Sequence, residues 1–200
     1  MTSRVEGLER ARGRAMGARV VREARALGID PDALPRILDA HDLAMEVRDR
    51  EVLDDHDPAY LHPGRSALVA MTDGALLDPE VLQAVMAFDS LQDDLAPDDE
   101  ILRAVCGVDV LATRAAMPTG FMPAGQILEA LLDLDGPVAI GVLAEALDHA
   151  RHAHVGGDSS VMREVLFRVE RAYHPVAGRV APRLAERFEH WGRHFRKRLL

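Results

Sequence analysis

Three stretches of the chain carry side chains that can hold a cation or move a proton. Tyr60-Leu61-His62-Pro63 sets an imidazole at a loop-to-helix entry, and Phe88-Asp89 with Gln92-Asp93 sets two carboxylates one helical turn apart. Asp148-His149-Ala150-Arg151-His152 ends a long apolar stretch with an acid and two imidazoles. Histidine and carboxylate ligands drawn from separate helices are how helical bundles build metal sites. Within the last stretch, helical spacing sets Asp148 and His149 each on a face neighbouring His152. Arg48, Arg50 and Arg65 lie near these segments in the chain and are candidates to hold phosphate. Other chemistries lack their signatures: there is no glycine-rich phosphate loop before a helix, no Gly-x-Ser-x-Gly elbow and no His-Glu-x-x-His helix.

Each candidate also has a plainer reading. His62 before Pro63 is a common kind of polar helix entry, and Asp89 on an apolar side can be a buried cap or hydrogen-bond acceptor, since a buried charge without a partner is costly. A solvated helix end accounts for His149 and His154. Asp93, Asp94, Asp98, Asp99 and Glu100 around Pro97 read as an exposed acidic loop, with Asp98 as a cap. Arginines in an arginine-rich chain are ordinary surface residues.

The elements that must position these groups are helices. Glu9 to Leu27 is rich in alanine and arginine and stops at Gly28, the residue favoured just past a helix end. Asp30-Pro31 pairs a capping residue with a first-turn proline, and Leu34, Ile37, Leu38, His41, Leu43, Ala44 and Val47 follow mainly on one face, so a helix runs to about Arg50. Leu53 to Pro63 is a loop, and Arg65 to Thr72 a short helix closed by Asp73-Gly74. Asp78-Pro79 opens an amphipathic helix through Val81, Leu82, Val85, Met86 and Asp89 and beyond, interrupted at Pro97. Ile101 to Ala116, Ala124 to Leu132 and Pro137 to His154 supply further helices, the last nearly all apolar and therefore central. Gly156-Gly157 breaks it, Val161 to Tyr173 is helical, and Pro175 restarts a long terminal stretch in which Phe188, Trp191, Phe195 and Leu199 are docking contacts.

Composition sets the outer bounds. Of 200 residues, 48% are hydrophobic, enough for one core, while only 4% are aromatic, which with abundant alanine, leucine and arginine favours an all-α fold. Twenty-four basic against 33 acidic residues leave a formal charge of −9, which repels phosphate backbones, so nonspecific nucleic-acid binding is not expected. The single cysteine, Cys106, excludes an internal disulfide framework and clustered-cysteine metal sites, and fits a reducing compartment. No secretory leader and no run of 18 uncharged apolar residues is evident, so the expectation is a cytoplasmic protein without a membrane span.

The ordered set of segments resembles the HD superfamily of metal-dependent phosphohydrolases, and within it the hydrolase domain of RelA/SpoT-type alarmone enzymes and their small stand-alone relatives. Tyr60-Leu61-His62-Pro63, Asp78, Val81 to Asp93 and Ile140 to Arg151 carry the likeness, with Ala40 to Arg50 and Arg171 to Ala177 flanking it. The resemblance spans residues 35 to 195 and implies a single-domain HD-type helical bundle over 31–200, behind an N-terminal helical extension over 1–30. It further implies that His62, Asp89 and Asp148 are metal ligands, joined by His152 at a position where the family has asparagine. Asp93 is the implied acid or base, with Gln92 where the family has its partner glutamate. Phe88 stands where the family has a ligating histidine, and a phenyl ring has no lone pair for a metal. The implied cofactor is therefore manganese or a similar divalent ion, bound weakly or lost. The implied substrate is a guanine nucleotide, guanosine tetra- or pentaphosphate, hydrolysed at its 3′-diphosphate, with Arg48, Arg50 and Arg65 as phosphate contacts. The alternative is a non-catalytic module that binds a nucleotide or a protein through the same cleft. The synthetase and regulatory regions of the long alarmone enzymes have no counterpart in these residues, so synthesis is not expected.

Overall fold

Aspartates set where many of the helices begin. The Asp78 carboxylate accepts from the Glu80 and Val81 amides at 2.9 and 3.2 Å, Asp30 from Asp32 at 2.9 Å, Asp98 from Glu100 at 2.8 Å and Asp158 from Ser160 at 2.7 Å. Each occupies amides that a first helical turn leaves without partners. The computed structural model describes residues 2–54, 56–155 and 158–199, with side chains from residue 11 to 197; Gly156-Gly157, expected to break a helix, lies outside the described residues. In chain order the helices are α1 (Thr2–Ala26), α2 (Leu34–Glu51), α3 (His62–Thr72), α4 (Pro79–Met86), α5 (Asp99–Cys106) and α6 (Val108–Ala116). They continue as α7 (Ala124–Asp133), α8 (Gly136–His152), α9 (Ser159–Arg168), α10 (His174–Val180) and α11 (Pro182–Leu199). Short 3-10 turns at Pro31–Ala33 and Asp93–Leu95 and a π-helical segment at Val169–Tyr173 complete the set. No β-strand occurs among the described residues, so the protein is all-α.

α8 is the central element. Val142, Leu143, Ala144 and Leu147 are buried in one core with Leu68, Met71, Leu82, Val85 and Leu131. A Cβ on Gly141 would stand 2.6 Å from Val85 Cγ2, so the missing side chain is what lets α8 lie close against α4. Residues 1–30, expected as an extension, contribute Val20 and Ala24 to this same core through α1. At the other end Phe188 and Phe195 of α11 are buried, as a docked last helix requires.

One helix ends earlier than its hydrophobic pattern predicts. The run from Asp78 stops at Met86, and Phe88 to Leu91 is loop. The cause is local: the Asp89 Oδ1 atom accepts from the Leu91 and Gln92 amides at 3.2 and 3.1 Å, and the Ser90 carbonyl accepts from Gly120 at 2.8 Å. A side-chain acceptor thus replaces the next helical carbonyls, and a tertiary amide donor replaces a helical N–H. Asp89 leaves the helix face and turns into the space between α2 and α8.

Candidate metal centre

His62 is the first residue of α3, Asp89 sits in the loop after α4, and Glu145, Asp148 and His149 occupy successive turns of α8. Helical geometry dictates the last grouping: residues three and four apart share a face, so one side of an otherwise apolar helix delivers two carboxylates and an imidazole together. His62, Asp89, Glu145 and His149 each offer a nitrogen or oxygen such that the four atoms lie within 4.8 Å of one another. Ligand bonds of about 2.0–2.3 Å around a first-row divalent ion place its donors roughly 3–4.6 Å apart, so the four atoms need little adjustment to share one. Glu145 and Asp89 are buried, and His149 is 18% exposed on its side chain.

The hydrogen bonds around the cluster hold its side chains in place. His62 Nδ1 lies 2.9 Å from Asp148 Oδ2, and Nε2 lies 3.3 Å from Ser66 Oγ and 3.6 Å from Glu145 Oε1. Asp148 is held in turn by the guanidinium of Arg65, with Nε to Oδ1 at 2.9 Å and Nη2 to Oδ2 at 2.8 Å. A carboxylate behind a histidine fixes its tautomer and orientation, the arrangement usual behind a metal-bound imidazole. Arg48 does the same for Asp89: its Nη2 donates to Asp89 Oδ2 at 3.1 Å while Nη1 and Nε reach the Leu95 and Ala59 carbonyls at 2.6 and 3.0 Å. The Ser90 amide donates to Glu145 Oε1 at 2.8 Å.

Two buried atoms of the cluster have no hydrogen-bond partner, Glu145 Oε2 and His149 Nε2. His149 Nε2 lies 2.8 Å from Glu145 Oε1 and 3.1 Å from Asp89 Oδ1, but neither oxygen is along the direction of the ring's N–H, so the contacts are electrostatic. Buried polar atoms left this way need an explanation, and a cation between them supplies one. The electrostatics agree. Burial opposes a charged His149, yet the Glu145 carboxylate and the contacts with Asp89 outweigh it and push the ring up to about 10. Burial would raise Asp89, Glu145 and Asp148, but the neighbouring imidazoles, and Arg65 at Asp148, hold all three carboxyls below their ordinary range. The hollow is built to hold positive charge. Two imidazoles and two carboxylates suit manganese, iron or zinc in the divalent state.

Above the cluster a cleft of about 300 Å³ opens to solvent, lined by His62, Arg65, Asp148, His149 and His152 on one side. His152 stands apart from the four ligand atoms. Its Nδ1 donates to the Asp148 carbonyl at 2.8 Å, which leaves Nε2 as a free base, and burial lowers its pKa so that the ring is neutral.

Of the residues expected from sequence, the structure brings His62 and Asp89 into the four-residue cluster that could hold an ion and places Asp148 behind His62. His152 is moved from ligand to cleft wall, because its Nδ1 is bound to its own helix. Gln92 is exposed and lines the cleft, whereas Asp93, expected as acid or base, lines a second groove with Phe88, Pro97 and Arg114, which Asp89 of the cluster also borders. The early end of α4 causes this separation. Arg65 lines the cleft, but its Nε and Nη2 are bound to Asp148 and the Pro58 carbonyl. Arg48 lies beneath the cluster as a structural cation. Arg50 is exposed on α2, where its Nε donates to its own helix at the Glu46 carbonyl.

Sequence reasoning missed Glu145 and assigned His149 to a solvated helix end. The available signal was Glu145-x-x-Asp148-His149, an acid at i followed by acid and imidazole at i+3 and i+4 inside a helix apolar enough to be buried. A carboxylate there must have a partner. No helix is long and apolar enough to cross a membrane. Comparison with protein-family models, with curated proteins and with solved structures yields no match to this chain.

Proposed function

We propose that the protein is a metal-dependent phosphohydrolase of the HD type with a rearranged ligand set: His62, Asp89, Glu145 and His149 hold one divalent ion at the floor of the cleft. The observation that carries this reading is the convergence of those four donors, two of which lack any hydrogen-bond partner. In the resemblance to alarmone hydrolases Phe88 removes a histidine ligand; here His149, from α8 instead of the loop after α4, supplies an imidazole in its stead.

A divalent ion bound there lowers the pKa of a water and offsets negative charge on a phosphoryl oxygen. The chain's own residues do the rest. Arg65 and Asp148 orient His62, and Arg48 fixes Asp89. His152 Nε2, neutral and open to the cleft, takes the proton from the attacking water and returns it to the leaving oxygen. Gln92 at the rim offers an amide donor to a bound oxyanion but cannot relay a proton. The test is metal analysis of the purified protein together with hydrolysis of p-nitrophenyl phosphate in Mn²⁺. Glu145→Gln should lose the ion and turnover together, and His152→Ala should keep the ion and lose roughly 100-fold or more of turnover. Wild-type protein that binds no divalent ion would overturn the proposal.

A second reading, a non-catalytic binding module, is favoured by one observation: Asp93 is absent from the cleft and Gln92 is not titratable, so His152 alone is left to move protons. It predicts metal retention without turnover in both wild type and His152→Ala.

A further inference from the structure

The two walls of the cleft differ in kind, and the difference bears on what can enter. One wall is the polar side already described. The other is Leu91, Val155, Val161 and Val165. Val155 and Val161 are 58% and 51% exposed, and α9, which carries Val161 and Val165 one turn apart, has no buried residue at all. Branched aliphatic side chains held open to water at the mouth of a charged site have a use if they cover an apolar part of a ligand.

Charge narrows the choice. Asp89, Glu145 and Asp148 face only Arg48 and Arg65, so a divalent ion with neutral imidazoles leaves the site one positive charge in excess. The guanidiniums offer little to a ligand's phosphates: all three nitrogens of Arg48 have acceptors, and Arg65, bound through Nε and Nη2 to Asp148 and Pro58, keeps only Nη1 without one. Asp57 adds a carboxylate at the rim. A nucleoside carrying several phosphates needs several unpaired cations.

We infer that the cleft takes a small substrate with a single oxyanion head, which meets the metal centre, and an apolar body, which lies against Leu91, Val155, Val161 and Val165. The inference rests on the metal reading given above and departs from the guanine nucleotide that the family resemblance implies. The head is a phosphoryl or similar oxyanion group; the body is an aromatic ring or short aliphatic chain.

Cobalt(II) loaded into the full-length protein provides the readout, because its visible spectrum changes when an oxyanion enters its coordination sphere. Titration with phenylphosphonate, methylphosphonate and guanosine 3′,5′-bis(diphosphate) compares head, body and polyanion directly. Phenylphosphonate should bind at least about tenfold more tightly than methylphosphonate, the gain from covering one aromatic ring, and more tightly than the nucleotide. Val161→Asp and Val165→Asp should each remove most of that preference while cobalt stoichiometry and its unliganded spectrum stay as in wild type. Tighter binding of the nucleotide, or a phenyl preference that survives both substitutions, overturns the substrate class and leaves the metal centre standing. Failure to take up cobalt overturns the metal centre and this inference with it.

Discussion

His41 and His149 are both withdrawn from solvent, and they come to opposite states. His41 lies fully buried where α1, α2 and α3 meet. A Cβ on Gly17 would stand 2.8 Å from its Nδ1 and one on Gly64 would stand 3.3 Å from its Nε2, so the ring fills space that two glycines leave for it. Its one polar contact is Asp42 at 3.3 Å, whose side chain is largely exposed, and its Nε2 has no hydrogen-bond partner. Burial there lowers its pKa, with Asp42 opposing and Arg48 assisting. His149 suffers the same burial and is pushed the other way, up to about 10, by Glu145 and Asp89. The comparison separates two things that a buried histidine can mean. Burial alone makes a neutral packing residue; two carboxylates within ion-pair reach make a seat for a cation.

The largest effect expected from breaking this contrast is on metal binding. Glu145→Gln and His149→Ala should each weaken Mn²⁺ or Zn²⁺ binding by more than about 100-fold by titration calorimetry, since a lost ligand costs more than a lost supporting contact. His41→Gln should leave the same affinity unchanged. Equal losses in all three would mean that burial of imidazoles, not the carboxylates beside them, governs the ion.

Next in size is Asp148→Asn. This carboxylate touches His62 and Arg65 and is not needed as a ligand, so its replacement should reduce metal affinity by about 10–100-fold while the helical circular-dichroism signal is retained. An affinity loss as deep as that of Glu145→Gln would show Asp148 to be a ligand itself, as the family resemblance implies. Phe88→His sharpens the same question. If His149 provides the second imidazole, as proposed, the substitution should bring no gain in metal affinity.

These residues also show where sequence reading succeeds. Helix starts at Asp30, Asp78, Asp98 and Asp158 are legible because the capping chemistry is local and involves neighbours in the chain. The end of α4 is not, because hydrophobic spacing continues past Met86 while the Asp89 carboxylate and a distant glycine amide take over the hydrogen bonding. His62 and Asp89 were within reach as ligands through their order in the chain. His149 was in view among the polar residues that end α8 but read as a solvated helix end, and Glu145 was hidden by the helix that carries it: α8 reads as apolar, and a single acid within it draws less attention than the polar residues that end it. Arg48, placed on the buried face of α2, is the matching clue, since a buried guanidinium calls for a buried carboxylate somewhere else in the chain.

A third effect concerns stability alone. Gly17→Ala puts a methyl group 2.8 Å from the His41 ring, which is held on all sides and cannot move aside as a flexible chain end would. Overpacking of this kind costs about 1–3 kcal/mol. For a chain of this size each kcal/mol lowers the melting temperature by about 2–4 °C, and metal affinity should not change. A melting temperature equal to wild type would show that the ring has room to shift and that the glycine is not what accommodates it.

The smallest effect is the most direct comparison of the two rings, and its sign differs between them. The folded state keeps His41 neutral below its ordinary 6.5, so the unfolded chain takes up a proton first as pH falls; the stability His41 allows is complete above 6.5 and declines beneath it. His149 in the metal-free protein has its folded value raised to about 10, so its contribution is complete below 6.5 and is lost as pH rises through 10. Thermal melts of metal-free protein between pH 5 and 10 should therefore lose slope on the acid side in His41→Gln and on the alkaline side in His149→Gln. Saturating Zn²⁺ should remove the alkaline slope from wild type, because a ligated nitrogen has no proton to lose, and should steepen the acid limb, because the ligated imidazoles take up protons below 6.5 only on unfolding. An alkaline slope that survives saturating Zn²⁺ would show that His149 keeps its proton and is no ligand, and the distinction between a packing ring and a ligand ring would not hold.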